Sequence, residues 1–399
     1  MKDGKYGIGI LGLGGRGVFF GGMDFEQDGG FRVVCVCDLV PEKVRAAQKI
    51  FGEDVGGYTD VDAFLRHEGL DAVVVATPDF AHADCAVAVL KARKNLFLEK
   101  PMAQTIEDCD RIIDAWKGSG TVFMVGLELR YCTLMQELKA LLDRGEVGRI
   151  LIGTVVDNVS VGGEYYYHGA RRKQEYIKSL LLEKGTHSLD LANWLVQGTP
   201  TRVYATGALD VFGGNEPNDK HCRDCEKRTT CPYFIDADRF LSDYGELRNV
   251  QDLCVYAQEC DVSDNSLVLI DYDNGAKLSY MECHFTPEYT REFMFVGEKG
   301  KVEAFYNNEQ EFKIKLWKRH EKEPVYIYPP KAEVFGSHGG GDAGIIRAFR
   351  EKLDAGIPCM PGIKGARDSA AIAIAAYQSE KAGTPLMIPA YDYPEGVEI

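Results

Sequence analysis

The chain has 399 residues, which is long for a single hydrophobic core, so two domains are expected. Its formal net charge of −15 argues against a nucleic-acid partner, because phosphate binding needs clustered Lys and Arg. The first residues lack a basic region followed by a long apolar run, and no apolar stretch is long enough to span a bilayer. We therefore expect a cytoplasmic protein that binds a small molecule and has no nucleic-acid or membrane partner.

A glycine-rich turn follows the first apolar run. The segment KYGIGILGLGGRGVFF contains Gly12-x-Gly14-x-x-Gly17. With this spacing a strand turns tightly into a helix, and backbone N–H groups can face a pyrophosphate. The sequence therefore predicts a strand, a phosphate-binding turn and a helix at the start of the chain.

The next apolar run, RVVCVCD, ends at Asp38, about 20 residues after the last glycine of the turn. A carboxylate there would accept hydrogen bonds from the adenosine ribose, although it could also cap the helix PEKVRAAQKIF. Leu39 follows, with no adjacent arginine for a 2′-phosphate. This favours NAD over NADP, while Lys43 and Arg45 leave NADP open.

Strands and helices continue to alternate up to about residue 127. DAVVVATP, NLFLEKP and TVFMVG have the composition of buried strands, and HADCAVAVLKARK and IEDCDRIIDAWKG that of helices. This alternation predicts a doubly wound parallel sheet, whose ligands bind beyond the carboxyl ends of its strands. Those ends carry Thr77, Pro78, Glu99 and Lys100.

The character of the chain changes after residue 127. Its strands become longer and are separated by turn signals such as DNG and GEKG, which predict antiparallel hairpins. The stretch ARDSAAIAIAAYQSEKAG predicts a long helix near the C-terminus. We expect a Rossmann domain at 1–127 and a second α/β domain at 128–399.

The motif LEKPMAQT, at 98–105, places Glu-Lys-Pro directly after a strand. With the preceding turn it resembles the Gfo/Idh/MocA oxidoreductase family, and the resemblance continues through GLELRY, GEVGRI, LLLEKGTHSLD, LVLIDYDNGAKLSY, VGEKGKVEAF and GGGD. It implies a second domain with a large open, mainly antiparallel sheet, and hydride transfer between a nicotinamide cofactor and a sugar or cyclitol hydroxyl. An open sheet with one exposed face also predicts a homodimer or homotetramer.

The resemblance implies that Lys100 lies between nicotinamide and substrate and that His187 is the catalytic histidine. A cationic lysine polarises the reacting oxygen, and an imidazole titrates near the working pH. Glu183, at a position where many relatives have Asp, is the third catalytic candidate. Asp190 could orient His187 or cap the following helix.

Further contacts are expected around this centre. Residues expected at the cofactor are Gly12, Leu13, Gly14, Arg16, Gly17, Asp38, Thr77, Pro78, His82, Glu99 and Lys100. Residues expected at the substrate are Arg130, Tyr131, Arg171 or Arg172, His187 and His338. The aromatic run 165–167 predicts either a sugar-stacking face or a half-buried strand edge.

The stretch HCRDCEKRTTCPYF lies in a long polar insertion, from 213 to about 262. Its thiols and a later one form the candidate metal site Cys222, Cys225, Cys231 and Cys254, with His221 or Cys260 as substitutes. Four thiolates suit a structural Zn²⁺ that would order the insertion, and some family branches look similar here. An iron–sulfur cluster and free thiols are the alternatives.

These patterns predict an NAD-linked sugar or cyclitol dehydrogenase. One alternative is a glycosidase that holds NAD tightly, oxidises a ring hydroxyl, eliminates the glycosidic substituent, adds water and reduces the ring back. Another is a sugar-sensing protein without catalysis, which the presence of both Lys100 and His187 argues against.

Overall fold

The computed structural model describes residues 4–160, 162–236, 251–307, 309, 311–331, 337–394 and 397–398. The first of the two large sheets is fully parallel, with the strand order β3-β2-β1-β4-β5-β6 of a Rossmann domain. Its strands are β1 (Tyr6–Leu11), β2 (Phe31–Cys37), β3 (Gly56–Tyr58), β4 (Ala72–Val75), β5 (Asn95–Leu98) and β6 (Phe123–Val125). The predicted doubly wound sheet is confirmed.

Helices cover both faces of this sheet, so a central strand such as β4 is apolar and buried at every position. The described α-helices are α1 (Gly15–Val18), α2 (Phe25–Gln27), α3 (Pro41–Phe51), α4 (Val61–Leu65), α5 (His82–Lys91), α6 (Ile106–Trp116), α7 (Thr133–Asp143), α8 (Gln174–Ile177), α9 (Thr186–Val196), α10 (Gly341–Ala355) and α11 (Ile363–Ala382). The π-helical segment Phe19–Asp24 joins α1 to α2. None of the described helices is long and apolar enough to cross a membrane.

The second sheet has nine strands in the order β14-β13-β12-β11-β7-β10-β9-β8-β16. They are β7 (Ile150–Asn158), β8 (Pro200–Ala208), β9 (Asn265–Tyr272), β10 (Lys277–Cys283), β11 (Thr290–Gly297), β12 (Gly300–Asn307), β13 (Lys313–Lys318), β14 (Val325–Ile327) and β16 (Leu386–Met387). Only the central pair β7 and β10 is parallel among these described strands. The predicted hairpins at DNG and GEKG are confirmed as β9–β10 and β11–β12.

Helix α10, near the end of the chain, returns to the first sheet. Helix α10 inserts Phe349 among Phe25, Phe31 and Phe97, with ring centroids 5.6–6.3 Å apart. The Rossmann core is therefore completed by residues far beyond 127. Helix α11 packs instead on β8 and α9, and a short parallel pair joins β15 (Met360–Pro361) to β17 (Val397–Glu398).

Candidate active site

Two glycines of the turn after β1 are required by close packing. Gly12 has a φ of +98°, and a Cβ there would lie 2.6 Å from the backbone nitrogen of Thr77. A Cβ at Gly17 would lie 2.0 Å from the Gly12 carbonyl oxygen. A Cβ at Gly14, in contrast, would meet no atom within 4 Å. At Gly12 and Gly17 the turn therefore packs tightly against other backbone atoms. At Gly14 it leaves open space, where a pyrophosphate fits.

The Asp38 carboxylate lies against this turn. It accepts hydrogen bonds from the backbone N–H of Leu13 and of Val40, both at 2.9 Å. Lys43 Nζ is 3.8 Å away, and the Leu39 side chain is exposed. The carboxylate is thus held at the end of β2, where an adenosine ribose is expected.

Arg16 is paired with two carboxylates of the protein, and its side chain is 34% exposed. Its Nε donates to Glu99 Oε1 at 2.7 Å and its Nη2 to Asp342 Oδ1 at 3.1 Å. Although burial opposes its charge, these two carboxylates raise the pKa of Arg16. Arg16 and Glu99 therefore hold α1, the end of β5 and α10 together beside the turn.

His82 has a structural position. Its Nδ1 lies 2.7 Å from the Pro101 carbonyl oxygen, its Nε2 lies 3.0 Å from that of Thr77, and burial lowers its pKa. Both ring nitrogens are occupied by the protein. His82 therefore ties the loops after β4 and β5 together, and a contact of His82 with the cofactor stays a prediction.

Lys100 joins the two domains. From the end of β5, its Nζ donates a 2.7 Å hydrogen bond to the carbonyl oxygen of Glu183. Glu183 lies in the π-helical turn Leu181–Gly185, which leads directly into α9 and His187. The structure thus brings the predicted lysine, glutamate and histidine to one place.

His187 is buried in the first turn of α9. Burial, the cation of Lys100 and the more distant charges of Arg291 and Lys184 hold the pKa of His187 well below its usual value. The imidazole is therefore neutral at neutral pH and available as a proton acceptor.

The carboxylate that faces His187 belongs to Glu128, in the 3₁₀ turn Glu128–Tyr131. Glu128 Oε1 lies 3.6 Å from His187 Nδ1 and 3.4 Å from His338 Nε2. Glu128 is buried, and its Oε2 has no hydrogen-bond partner among the described residues. The sequence does not predict this role for Glu128, because a single glutamate in GLELRY carries no motif.

His338 belongs to the same group. Its Nδ1 lies 3.2 Å from Asp342 Oδ1, and the carboxylates of Glu128 and Asp342 raise its pKa against the effect of burial. The oxygen and nitrogen atoms of these three residues lie within 4.8 Å of one another, as in a small cation site. Arg16 already supplies positive charge there, through its contact with Asp342.

Asp190 does not orient His187. It forms a bidentate ion pair with Arg130, at 2.7 Å to Nε and 2.6 Å to Nη2, and both side chains are largely buried. Tyr131 packs beside α10, close to Gly344. The alternative that Asp190 orients the histidine is therefore corrected, and two of the three guanidinium nitrogens of Arg130 are bound to α9.

The two candidate arginines have different environments. Arg171 Nε donates to Glu183 Oε1 at 2.8 Å, and its guanidinium lies 5.2 Å from the Tyr165 ring. Arg172 is fully buried and binds Glu259 and the Cys254 carbonyl oxygen. Arg171 thus faces the candidate site, whereas Arg172 anchors the insertion.

The aromatic run at 165–167 is not a strand edge. It belongs to the π-helical segment Gly163–Tyr167. Only Tyr165 of the run is exposed, while Tyr167 stacks on Phe212 with ring centroids 4.2 Å apart. The strand interpretation is therefore wrong, and a single ring remains for stacking.

Asp79 is a second residue of the candidate site that no sequence motif predicts. Burial and the carboxylate of Glu183 raise the pKa of Asp79 well above its usual value. Although burial opposes ionisation, Lys100 and Arg171 lower the pKa of Glu183. Asp79 is therefore protonated and Glu183 is a carboxylate, so the two side chains share one proton beside Lys100.

The cysteines of the insertion converge on one cavity of about 20 Å³, room for a single water or ion. Its polar lining is Cys222, Cys225, Cys231, Cys254, His168 and His221. No three of the described sulfur atoms lie within 4.8 Å of one another, and His221 is bound to Asp252. Cys260 lies outside the cavity lining, and residues 237–250 of the insertion are outside the described residues.

The fold and this site define a nicotinamide-dependent oxidoreductase. Residues 6–127 match the family model described as the oxidoreductase family with an NAD-binding Rossmann fold. Residues 135–303 match the GFO/IDH/MocA C-terminal domain. The chain therefore belongs to the Gfo/Idh/MocA oxidoreductase family, as its sequence predicted.

Named relatives share parts of the chain. Inositol 2-dehydrogenase of Salmonella typhimurium is 32% identical over 169 residues, 42% of this chain and 47% of that protein. The 2,7-anhydro-N-acetylneuraminate hydratase of Mediterraneibacter gnavus is 29% identical over 226 residues, 54% of this chain and 55% of that protein. Each alignment spans about half of the relative.

The same fold occurs in a solved structure of levoglucosan dehydrogenase in complex with NADH and levoglucosan. It superimposes with a TM-score of 0.76 at 18% identity, over 97% of this chain and 100% of that one. The predicted fold class, a Rossmann sheet followed by a large, mainly antiparallel sheet, is thereby confirmed.

We expect Asp190→Ala to destabilise the protein, because it leaves the Arg130 charge buried without its partner. The loss should be about 3–5 kcal/mol of unfolding free energy. Glu298→Ala, which breaks the exposed pair with Arg149, should change stability by about 1 kcal/mol or less. Thermal and denaturant unfolding of both variants would measure this, and equal effects would contradict the structural role of Asp190.

Proposed function

We propose that the protein transfers a hydride between NAD and a hydroxyl-bearing carbon of a sugar, sugar derivative or cyclitol. The observation that carries this proposal is the hydrogen bond from Lys100 Nζ to the turn that leads into His187. It places a cation and a neutral imidazole together beyond the carboxyl ends of the Rossmann strands, where such folds bind their ligands. Nicotinamide, when bound there, supplies the hydride acceptor.

Side chains of the protein supply the proton transfer and the charge stabilisation that the reaction needs. His187 takes the hydroxyl proton during oxidation and returns it during reduction, while Lys100 stabilises the negative charge on the reacting oxygen. Glu128, beside Nδ1, favours the tautomer with the proton on Nδ1, which leaves Nε2 as the base. The 3.6 Å separation would shorten when the site closes on its ligands.

NAD is proposed over NADP because of Asp38. Its carboxylate is held toward the turn by two backbone N–H groups and would repel a 2′-phosphate. Lys43 is the only described cation paired with it, at 3.8 Å. Ribose hydroxyls, in contrast, would donate hydrogen bonds to this carboxylate.

Absorbance of NADH during incubation with myo-inositol, levoglucosan and free hexoses tests the proposal. Lys100→Met and His187→Asn should each lower kcat/KM by about 100-fold or more. The exposed Lys91→Met, at the end of α5, is the matched control. Because the pKa of His187 is lowered, the acid limb of the wild-type profile should lie below about pH 6.5.

Near-wild-type turnover in both active-site variants would refute the assigned roles. Saturable sugar binding without any turnover by the wild type would support the sensing alternative instead.

We also propose that the second sheet forms a homodimer, or a tetramer of two dimers, through its outer face. Ile152, Leu267 and Leu269 are 54–58% exposed there, on strands β7 and β9. Tyr204 pairs with Leu269 on the neighbouring strand, so the apolar surface extends from β9 onto β8. Such a face is self-complementary about a twofold axis, and burying it would remove a patch that monomers rarely expose.

Light scattering coupled to size-exclusion chromatography would measure the assembly. We expect Leu269→Glu to yield monomers, because it places a charge at the centre of the buried patch. Ile357→Glu, which alters an exposed apolar residue away from this sheet, should keep the wild-type mass. A monomeric wild type at micromolar concentration would refute the interface.

The cysteine cavity is proposed as a structural zinc site. Four thiols from two parts of the chain line it, and thiolates suit Zn²⁺. Tetrahedral ligands of one zinc ion lie about 3.8 Å apart, so the sulfur atoms would draw together on binding.

Elemental analysis should find about one zinc per chain, and less than half of that in Cys254→Ser. Cys260→Ser is the control, because Cys260 is buried but outside the cavity. A chelator should lower the unfolding temperature of wild type and of Cys260→Ser but not that of Cys254→Ser. Iron with sulfide would favour the cluster alternative, and a metal-free protein that a chelator leaves unchanged would refute both.

A further inference from the structure

Arg171 has an unused edge of its guanidinium beside the candidate active site. Its Nε donates a 2.8 Å hydrogen bond to Glu183 Oε1, while Nη1 and Nη2 make no hydrogen bond with the residues that the structure describes. The side chain is 34% exposed, so part of it meets solvent. A guanidinium has five N–H donors, and those on Nη1 and Nη2 are therefore available to a ligand.

The same glutamate residue binds Arg171 and Lys100. Lys100 Nζ donates to the carbonyl oxygen of Glu183 at 2.7 Å, and Arg171 donates to its carboxylate. Burial and Glu183 raise the pKa of Asp79, and the charges of Lys100 and Arg171 both oppose that rise. Arg171 therefore lies about one glutamate side chain away from the ammonium that the proposed function places at the reacting oxygen.

The charges at this turn do not balance. Although burial opposes its charge, the carboxylate of Glu183 raises the pKa of Arg171, which therefore stays a cation. Lys100 is a second cation, and the neighbouring carboxyl group of Asp79 is protonated. Among the described residues that bind these two cationic side chains, Glu183 supplies the one carboxylate. One positive charge is thus left over, and a half-buried charge is stabilised when a negative group pairs with it.

The next two cations along the site are occupied by groups of the protein. Lys184 Nζ lies 3.2 Å from the Tyr289 hydroxyl oxygen, and Arg291 Nε lies 3.6 Å from Asp157 Oδ1. Arg291 also donates to the Tyr289 hydroxyl through Nε and Nη2. Both cationic side chains are buried. They are therefore held in the second domain, whereas Arg171 keeps donors for a ligand.

Aromatic rings flank the Arg171 guanidinium. The exposed ring of Tyr165 lies 5.2 Å from its central carbon. Burial raises the pKa of Tyr176, and the nearby charge of Arg171 opposes that rise. Tyr176 in turn packs edge-on against Phe80, which is exposed, with ring centroids 5.5 Å apart. Rings in these positions exclude water from a bound ligand, which strengthens a contact between opposite charges.

We propose that Arg171 binds a carboxylate, and that the substrate is an acidic sugar of the hexuronic acid type. This inference rests on the proposed function and narrows its substrate class. The two oxygen atoms of a planar carboxylate accept hydrogen bonds from Nη1 and Nη2 side by side, which is the geometry of bidentate ion pairs. One carboxylate also matches the single unbalanced charge, whereas a phosphate monoester carries nearly two negative charges at neutral pH.

The contact orients the substrate for the proposed reaction. With its carboxylate on Arg171, an acidic sugar extends along Glu183 toward Lys100 and His187. A hydroxyl-bearing ring carbon then lies at the lysine and the histidine, while the charged end stays outside the reacting centre. Arg171 is thus a specificity-determining residue that takes no part in proton or hydride transfer.

Absorbance of NADH tests the proposal with matched pairs of substrates. Glucuronate is compared with glucuronamide and glucose, and galacturonate with galacturonamide and galactose, each with NAD. In wild type, kcat/KM should be about 10- to 100-fold higher for an acid than for its amide, because a charge-assisted hydrogen bond is lost in the amide. Arg171→Gln should bring this ratio close to one, and Arg171→Lys should keep part of it.

Arg149→Gln is the matched control, because Arg149 is an exposed arginine that pairs with the carboxylate of Glu298. It should keep the wild-type ratio. If Arg171 only supported Glu183, then Arg171→Gln would lower kcat/KM for acid and amide by the same factor. Such an unchanged ratio would overturn the proposal, as would equal use of acids and amides by wild type. A preference for glucose 6-phosphate over both acids would replace the carboxylate by a phosphate and also overturn it.

Failure of this inference and failure of the proposed function are distinguishable. Hydride transfer to neutral sugars or cyclitols without preference for the acids would remove the role of Arg171 and leave the dehydrogenase function standing. If no compound tested reduces NAD, the proposed function fails, and calorimetric titration of the NADH-loaded protein with glucuronate, galacturonate and their amides decides the inference alone. Tighter binding of an acid that Arg171→Gln abolishes would support it, and equal or undetectable binding of acids and amides would overturn it.

Discussion

The hydrogen bond from Lys100 Nζ to the Glu183 carbonyl oxygen is the contact on which the rest of the site depends. It joins the end of β5 in the first sheet to the π-helical turn Leu181–Gly185, which starts α9 under the second sheet. π-Helical turns often mark functional sites, because their extra residue redirects neighbouring side chains. From this turn Glu183 meets Arg171, Lys184 meets Tyr289, and His187 faces Glu128 one helical turn further on.

Charge is distributed unevenly around this turn. On one side the carboxyl groups of Asp79 and Glu183 share a proton. On the other side two buried cations outnumber the carboxylate of Asp157. The pKa of His187 is lowered by burial and by the nearby cations, which keeps the imidazole neutral. The site thus contains a carboxyl group that holds a proton and an imidazole that accepts one.

Local pattern was enough to predict much of the fold. The helix PEKVRAAQKIF is found at Pro41–Phe51, because a proline at its first position and its apolar spacing both favour that helix. The aromatic run at 165–167 was misread as a possible strand, since tyrosines favour strands, yet tertiary packing against Phe212 holds it in a π-helical turn. Asp190 lies three residues after His187 on one helix, a spacing that made it a candidate to orient the histidine. Arg130, which approaches from another element, binds it instead.

By itself the sequence determined the Rossmann domain, the glycine turn with Asp38, the family, and the lysine and histidine that meet at the centre. These depend on short-range periodicity and on motifs whose residues lie close together in the chain. Tertiary structure alone decided that Glu128 faces His187, that α10 completes the first core, and that Tyr289 lies among cations. Glu128 and His187 are 59 positions apart, Phe97 and Phe349 are 252 apart, and Lys184 and Tyr289 are 105 apart. Such pairs carry no local signal, and buried charges take their protonation state from neighbours that only folding brings near.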